Sequence, residues 1–452
     1  MPHPARVPLH STPLGILGSL KAARQNVLLL IPDAATHAPI LSGVTGKRWH
    51  MVMDPEALRH ILRDRVNDYP KSMVTKLILG PAIGESLFVA EGEHWMWQRR
   101  AAAPVFTHRN VASLAPVMTL AAERSSARIA ASLGRGADMF AEMVTATFEV
   151  ISDVTFSEDA SAGGAGFDRA AVHGAIETYI GQTAKVSLLD ILGAPAWVPR
   201  PGRMFATQGI REMKRVADTA IEQRRANGAK PTPDLLDLLL KAQDPTSQRQ
   251  MSTAELRDNL LTFIVAGHET TALTLSWALY LCAFAPDIQA EARTEAQSVL
   301  GDRAATVADL PNLPLTRRIV DEALRLYPPA AFLSRTAQAP DSLLGREVRP
   351  GDTVILPIYA LHRHHALWDD PDAFNPARFA DPRSIDRFAY LPFGDGPRIC
   401  IGASFALQEA VIILATLLAR FKFSRIPGRD PKPVMILTLR PEGGVWLQID
   451  PA

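Results

Sequence analysis

The chain has 452 residues, 47% of them hydrophobic and 21% charged, with a formal net charge of +1 and two cysteines. That balance belongs to a globular protein and excludes a chain disordered throughout, while the near-zero charge excludes bulk electrostatic binding to nucleic acid or an anionic membrane. Two cysteines, Cys282 and Cys400, exclude a disulfide framework and a four-cysteine zinc site, and suit a reducing cytoplasm.

In chain order, the first segment is interrupted by prolines, and its apolar run at 27–31 is far below the ~20 residues that span a bilayer. No leader and no membrane anchor are expected, and the protein is expected in the cytoplasm. A strand is predicted at 48–53. Asp54 and Pro55 then supply a cap and a first-turn proline for EALRHILRDR, and Thr232-Pro233 is read the same way ahead of DLLDLLLKA. Ser252 and Glu255 have the spacing of a capping box. Residues 260–285 that follow are almost wholly apolar and long enough to cross a membrane. His268 and Glu269 near the middle make that reading costly, so a buried central helix is expected, ending near Pro286. A helix from Asp287, one that stops at Pro328-Pro329, and a last long one after Cys400 complete the helical signals.

Further strands are predicted at 348–358, around the turn 349–352, and at 434–449. They are few and far apart, as for a small sheet beside a helical body. The segments 161–166 and 227–233 read as loops. The expected architecture is mainly α with a small β region. It forms one domain over 1–452 whose minor β lobe draws on about 40–60, 335–360 and 434–450.

Residues 393–402, FGDGPRICIG, are the most informative. Three glycines and Pro397 force a tight loop that delivers Cys400 to the start of an apolar helix. Free N–H groups there lower a thiol's pKa and favour the thiolate that a metal binds. Cys282, inside LYLCAF, reads instead as a small buried hydrophobe.

The loop resembles the haem-binding signature F-x-x-G-x-R-x-C-x-G of the cytochrome P-450 family, through Phe393, Gly396, Arg398, Cys400 and Gly402. The resemblance implies that Cys400 is the axial ligand of a haem b iron, that Phe393 packs on the sulfur, and that Arg398 pairs with a propionate. It also implies the fold of that family, with haem between the long central helix and the cysteine loop.

Glu322 and Arg325 share a helix face; alone they read as an exposed ion pair. Ahead of the cysteine loop they resemble the family's E-x-x-R motif, and FNPARF resembles its P-x-R-F element. Glu322, Arg325 and Arg378 are then expected to form a buried network holding the loop. AGHETT, 266–271, resembles the family's distal A-G-x-D/E-T segment. Ala266 and Gly267 leave room for dioxygen, Thr270 bonds back to the Ala266 carbonyl, and Glu269 relays protons through water. In HWMWQRR, Trp95 and Arg99 resemble the W-x-x-x-R element and are propionate candidates, with an amphipathic helix carrying core aromatics as the competing reading. Arg335 is the second propionate candidate.

The resemblance implies an oxidoreductase, a monooxygenase acting on paired donors with incorporation of O2. It would hydroxylate a hydrophobic molecule (fatty acid, terpenoid, steroid or aromatic) with electrons from a separate ferredoxin and its reductase, and act as a monomer. A peroxide-using or isomerising haem-thiolate enzyme, or a haem sensor, are the alternatives; neither needs the Glu269-Thr270 relay. The regions 71–88, 172–204 and 330–333 are expected to line the substrate pocket, with Leu77, Ile78, Leu79, Ile264 and Phe332 as contacts. His362, His364 and His365 read as a solvated loop, not as a metal site. Arg100, Arg109, Arg383 and Arg387 read either as scattered surface charge or as a docking face for an acidic electron carrier.

Overall fold

A computed structural model describes residues 3–11, 14–156, 174, 207–435 and 437–452 of the chain. Its organising element is the helix Thr253–Phe284. The predicted capping box starts it: the Ser252 hydroxyl accepts from the Glu255 N–H at 3.3 Å, and the Glu255 carboxylate accepts from the Ser252 N–H at 2.9 Å. Pro286 ends it, and the chain turns by 115° into the helix Pro286–Leu300. The central helix is apolar on nearly every side because protein surrounds it. It packs against the helices Met139–Phe156, Thr207–Asn227, Pro314–Leu326 and Ala403–Arg420. His268 and Glu269 are buried with it, while residues 265–267 and 270 face an internal cavity.

The helix Ala403–Arg420, likewise long and apolar enough to cross a membrane, has its inner faces against the helices His108–Ala130 and Pro286–Leu300. Trp277 of the central helix stacks on Tyr327 with ring centres 4.0 Å apart, tying the end of the Pro314–Leu326 helix into the core.

Two sequence expectations change. The cap predicted at Thr232 lies at Asp234, whose carboxylate accepts from the Asp237 N–H at 3.0 Å ahead of the helix Leu235–Leu240. Both carboxylates also hold Arg224, a partner from the preceding helix that no local pattern discloses. Asp54 caps as expected, accepting from the Ala57 N–H at 2.9 Å.

The strands do not form one small sheet: among the described residues they fall into four. Ile40–Thr45, Lys47–Val52, Thr353–Leu356 and Leu333–Thr336 make the largest. The chain's last strand, Trp446–Pro451, pairs instead with Phe421–Arg425 and Gly136–Asp138. Lys432–Met435 and Leu439–Glu442 form a separate hairpin, in register Leu439 to Met435. Alternation marks a strand as half-buried but carries no record of its partner.

Candidate haem and substrate cavity

Between the central helix and the cysteine loop lies a cavity of about 660 Å³. Its wall brings together Trp95, Arg99, Ala266, Gly267, Glu269, Thr270, Phe332, Arg335, Phe393, Arg398, Cys400 and Gly402, all named from sequence. Leu79 lines it too. Ile264 does not: it points into the core at 1% exposure, and its carbonyl bonds the His268 ring at 2.8 Å. The side chains of Leu77 and Ile78 lie outside the described residues, as does 172–204 apart from residue 174 and the loop 161–166.

The loop is closed by the Cys400 N–H donating to the Phe393 carbonyl at 2.9 Å. Gly394 and Gly396 have positive φ, and a Cβ on Gly396 would lie 2.0 Å from the Leu62 carbonyl oxygen. Gly396→Ala is therefore expected to cost more than about 2 kcal/mol, read as a fall in unfolding temperature. At Gly402, by contrast, a Cβ would meet nothing within 4 Å. The open space is the cavity.

Cys400 is deep in the protein, yet it is exposed, because its open side faces the cavity and not bulk water. The sequence expectation of a lowered thiol pKa is overturned. Burial raises it, outweighing the Gly402 backbone hydrogen bond and the nearby Arg99 and Lys71 charges.

Four cationic side chains line the cavity: Lys71, Arg335 and Arg398, which lie close enough to repel one another, and Arg99, which lies near Cys400. Burial and the Arg335 and Arg398 charges push the Lys71 ammonium down to about 7; burial and Arg398 push Arg335 down to about 10. Burial lowers Arg99 and Arg398 as well. Glu91 is the acid drawn into this group, bonded to Arg398 and to the Lys71 backbone N–H. Arg398 also donates to the Ala90 carbonyl at 3.1 Å and lies over the Trp95 ring at 4.3 Å.

Four cations against one carboxylate call for an anionic ligand. A flat macrocycle with two carboxylates at its edge and a soft metal at its centre fits the donor set and the sulfur. Lys71 opens the stretch 71–88 expected to line the pocket, but no motif marks it as a partner for an anionic ligand.

On the opposite wall, Thr270 Oγ1 donates to the Ala266 carbonyl at 2.7 Å, as its spacing predicts. Gly267 has a second duty: a Cβ there would stand 3.3 Å from Ile151 Cδ1, so glycine lets the Met139–Phe156 helix approach. Glu269, at 3% exposure, bonds Thr438 and pairs with Arg440 at 2.6 Å. Glu409, at 1% exposure, is a buried carboxyl missed by sequence reasoning; burial pushes its pKa well up, and it hydrogen-bonds with Thr271.

Behind the loop, Arg325 and Glu322 are fully buried and joined by two bonds of 2.7 Å. The remaining Arg325 donors reach the carbonyls of His362, Pro371 and Ala373. Glu322 also takes the Asn375 N–H at 2.9 Å and stands 3.4 Å from Arg378. This is the three-residue network expected from sequence, extended by backbone that no motif names.

His362 and His364 are not solvated, contrary to expectation. His362 is wholly buried, accepts the Leu391 N–H at 2.9 Å, and is pushed down to about 3 by burial beside Arg325. His365 stacks on His37. No metal-binding group of three such ligands occurs among the described residues. Of the four arginines considered for docking, Arg100 is held by Asp244, Arg387 by Asp395 and Arg383 by Asp381, while Arg109 is exposed.

A family model described as Cytochrome P450 matches residues 11–448. Cyclooctatin synthase of Streptomyces melanosporofaciens is 33% identical, over 80% of this chain and 78% of its own. Cyclooctat-9-en-7-ol 5-monooxygenase of the same organism is 30% identical, over 91% and 88%. The crystal structure of the cytochrome P450DA heme domain superposes with a TM-score of 0.79 at 27% identity, covering 92% of this chain and 90% of that one. A family match over nearly the whole length, a solved relative of the same fold, and a cavity with a sulfur on one wall and a threonine notch on the other agree: the chain belongs to the cytochrome P450 family and is a haem-dependent monooxygenase.

Proposed function

We propose that this protein hydroxylates an apolar organic molecule, holding haem b through Cys400 and drawing electrons from a separate ferredoxin and its reductase. The observation that carries the reading is the mixed lining of the cavity. The Cys400 sulfur and the cationic side chains Lys71, Arg99, Arg335 and Arg398 share its wall, and the rest is largely hydrocarbon, including Leu79, Ile83, Leu87, Phe88 and Phe332.

The haem supplies, when bound through a thiolate, an iron that activates O2 for insertion of one oxygen atom. The chain's own residues do the rest. Cys400 would provide the thiolate, and Arg99, Arg335, Arg398, Trp95 and Lys71 would neutralise and seat the propionates. Ala266 keeps the distal side open, and Thr270 holds a polar notch beside it. Glu269 would deliver protons, with Thr270 as the hydroxyl relay. The apolar wall recognises substrate by area and excludes water.

An alcohol of largely hydrocarbon character, the class that the second Streptomyces relative's printed name specifies, is compatible with such a wall. The protein is proposed to act as a monomer in the cytoplasm, where its two cysteines stay reduced.

The test is turnover under isotopically labelled O2 with a surrogate ferredoxin and reductase, using limonene, progesterone and lauric acid as probes. One labelled oxygen atom in a product supports the reading. Product formation with hydrogen peroxide alone, and none with O2 and electrons, replaces it with the peroxide-using alternative. Thr270→Ala is expected to consume reductant at a comparable rate while most of it emerges as hydrogen peroxide. Product per reductant equal to wild type removes Thr270 from the relay.

A further inference from the structure

The hairpin formed by Lys432–Met435 and Leu439–Glu442 does two things at once. Met435 at the end of its first strand, and Leu437 and Thr438 just before its second, form part of the cavity wall. The same hairpin holds Glu269. The Thr438 hydroxyl and the Arg440 Nε both donate to one oxygen, Oε1, the latter at 2.6 Å. Both bonds fall on that one oxygen, and Glu269 lines the cavity as well.

The base of the hairpin is pinned on both sides. The Leu439 carbonyl accepts from Trp277 Nε1 of the central helix at 3.2 Å, and the Leu439 N–H donates to the Pro329 carbonyl at 3.0 Å. With Leu439 fixed, a displacement of 437 and 438 by a ligand cannot be absorbed by sliding the whole hairpin. It falls on the short tether between 438 and 440. Arg440 touches Glu269 from outside the cavity wall, and among the described residues Thr438 is the one that both lines the wall and bonds the carboxylate.

We infer that this hairpin is a substrate-sensing latch on Glu269, in which a ligand pressing on Leu437 and Thr438 alters the bonds that Thr438 and Arg440 make to Oε1. The inference rests on the monooxygenase reading above. Arg440 is a positioning residue: it acts through Glu269. The fate of the electrons depends on when protons arrive. Two electrons and two protons per O2 give either hydrogen peroxide, which escapes, or one water and one inserted oxygen atom. The latch sets the share between these outcomes, and with it how far an occupied cavity is required for useful turnover.

The experiment uses the holoprotein with a surrogate ferredoxin and reductase, with and without limonene as probe. It compares wild type, Arg440→Ala, Arg440→Lys, Thr438→Val, Glu269→Gln and the Glu269→Gln/Arg440→Ala double variant. The readouts are the fraction of reductant recovered as hydrogen peroxide and the solvent deuterium isotope effect on reductant consumption. Arg440→Ala and Thr438→Val are expected to raise the peroxide fraction at least about threefold and to change the isotope effect, since placed proton donors contribute large rate factors. Arg440→Lys is expected to recover part of the loss, because the charge remains while the fixed donor geometry is lost. In the Glu269→Gln background, Arg440→Ala should add nothing further, as residues acting through one group are not additive.

An unchanged peroxide fraction and isotope effect in both Arg440→Ala and Thr438→Val overturn the latch, as does a full additional effect of Arg440→Ala on top of Glu269→Gln. Should Arg440→Ala fail to fold, Arg440→Lys and Thr438→Val carry the same test. Failure of the underlying reading looks different: wild type itself then consumes no reductant, and the latch falls with it.

Discussion

Cys400→Ser is expected to abolish the strongly red-shifted Soret band of the reduced, carbon monoxide-treated protein, completely and not by degrees. The band reports a thiolate on the iron, and Cys400 is the one cysteine that lines the cavity among the described residues. The other cysteine, Cys282, is wholly buried in the central helix, with its thiol pushed up to about 12 by burial. It has no route to the cavity. A serine keeps the loop's backbone bond to Phe393, because that bond uses the Cys400 N–H and not its side chain. The variant should therefore fold and retain a largely normal unfolding temperature, which separates lost ligation from lost structure. A red-shifted band that survives in Cys400→Ser would mean that the sulfur has been assigned to the wrong residue.

Removing Arg325 is expected to do the opposite: to destroy the fold and leave nothing to assay. All five of its N–H donors are used, two on Glu322 and one each on the carbonyls of His362, Pro371 and Ala373. Those carbonyls lie in the stretch that leads to the cysteine loop. Arg325→Ala strands the buried Glu322 carboxylate and leaves three carbonyls unpaired, a cost of about 3–5 kcal/mol or more. That is a large share of a typical domain's stability. Arg325→Lys should rescue little, since an ammonium has three donors and no planar fork. Glu322→Gln is expected to be milder, leaving a neutral acceptor but an unbalanced guanidinium. The measurements are soluble yield, haem-to-protein ratio and unfolding temperature. An Arg325→Ala protein that is soluble, haem-replete and within a few degrees of wild type would show that the network is dispensable.

The two expectations differ because the residues belong to different parts of the same argument. Cys400 presents a group to a ligand and is held by its neighbours. Arg325 holds neighbours and presents nothing. Thr270 and Gly396 fall on the two sides in the same way. The Thr270 hydroxyl shapes a cavity wall, while Gly396 exists for the close approach of the Leu62 carbonyl.

How much was legible beforehand follows from how local each signal is. The cysteine loop, the capping box at Ser252, the stop at Pro286 and the back-bond of Thr270 depend on residues within about ten positions of each other, and sequence determined them. The pairing of Glu322 with Arg325 was readable as well, for a single helical turn brings them together. What spacing alone did not settle was their burial: the same pair on a surface helix is an ordinary ion pair.

The tertiary structure decided the rest, for one recurring reason. Burial and long-range partners are properties of a packed body, and no window of sequence contains them. Desolvation reversed the expected direction of the Cys400 thiol, buried His362 and His364 where polarity promised solvent, and turned Ile264 away from the cavity. It also gathered Lys71, about 330 residues before Cys400, into the cation cluster. Strand partners were chosen by packing, so the last strand joined Phe421–Arg425 and not the sheet nearer the cavity. Arg440 reached Glu269 across 171 positions, through a hairpin whose sequence carries no mark of that contact. Sequence by itself marked the cysteine loop and, through its family resemblance, the residues proposed to hold haem; only the fold determined which charges line the cavity beside that loop and what touches the carboxylate beside the threonine.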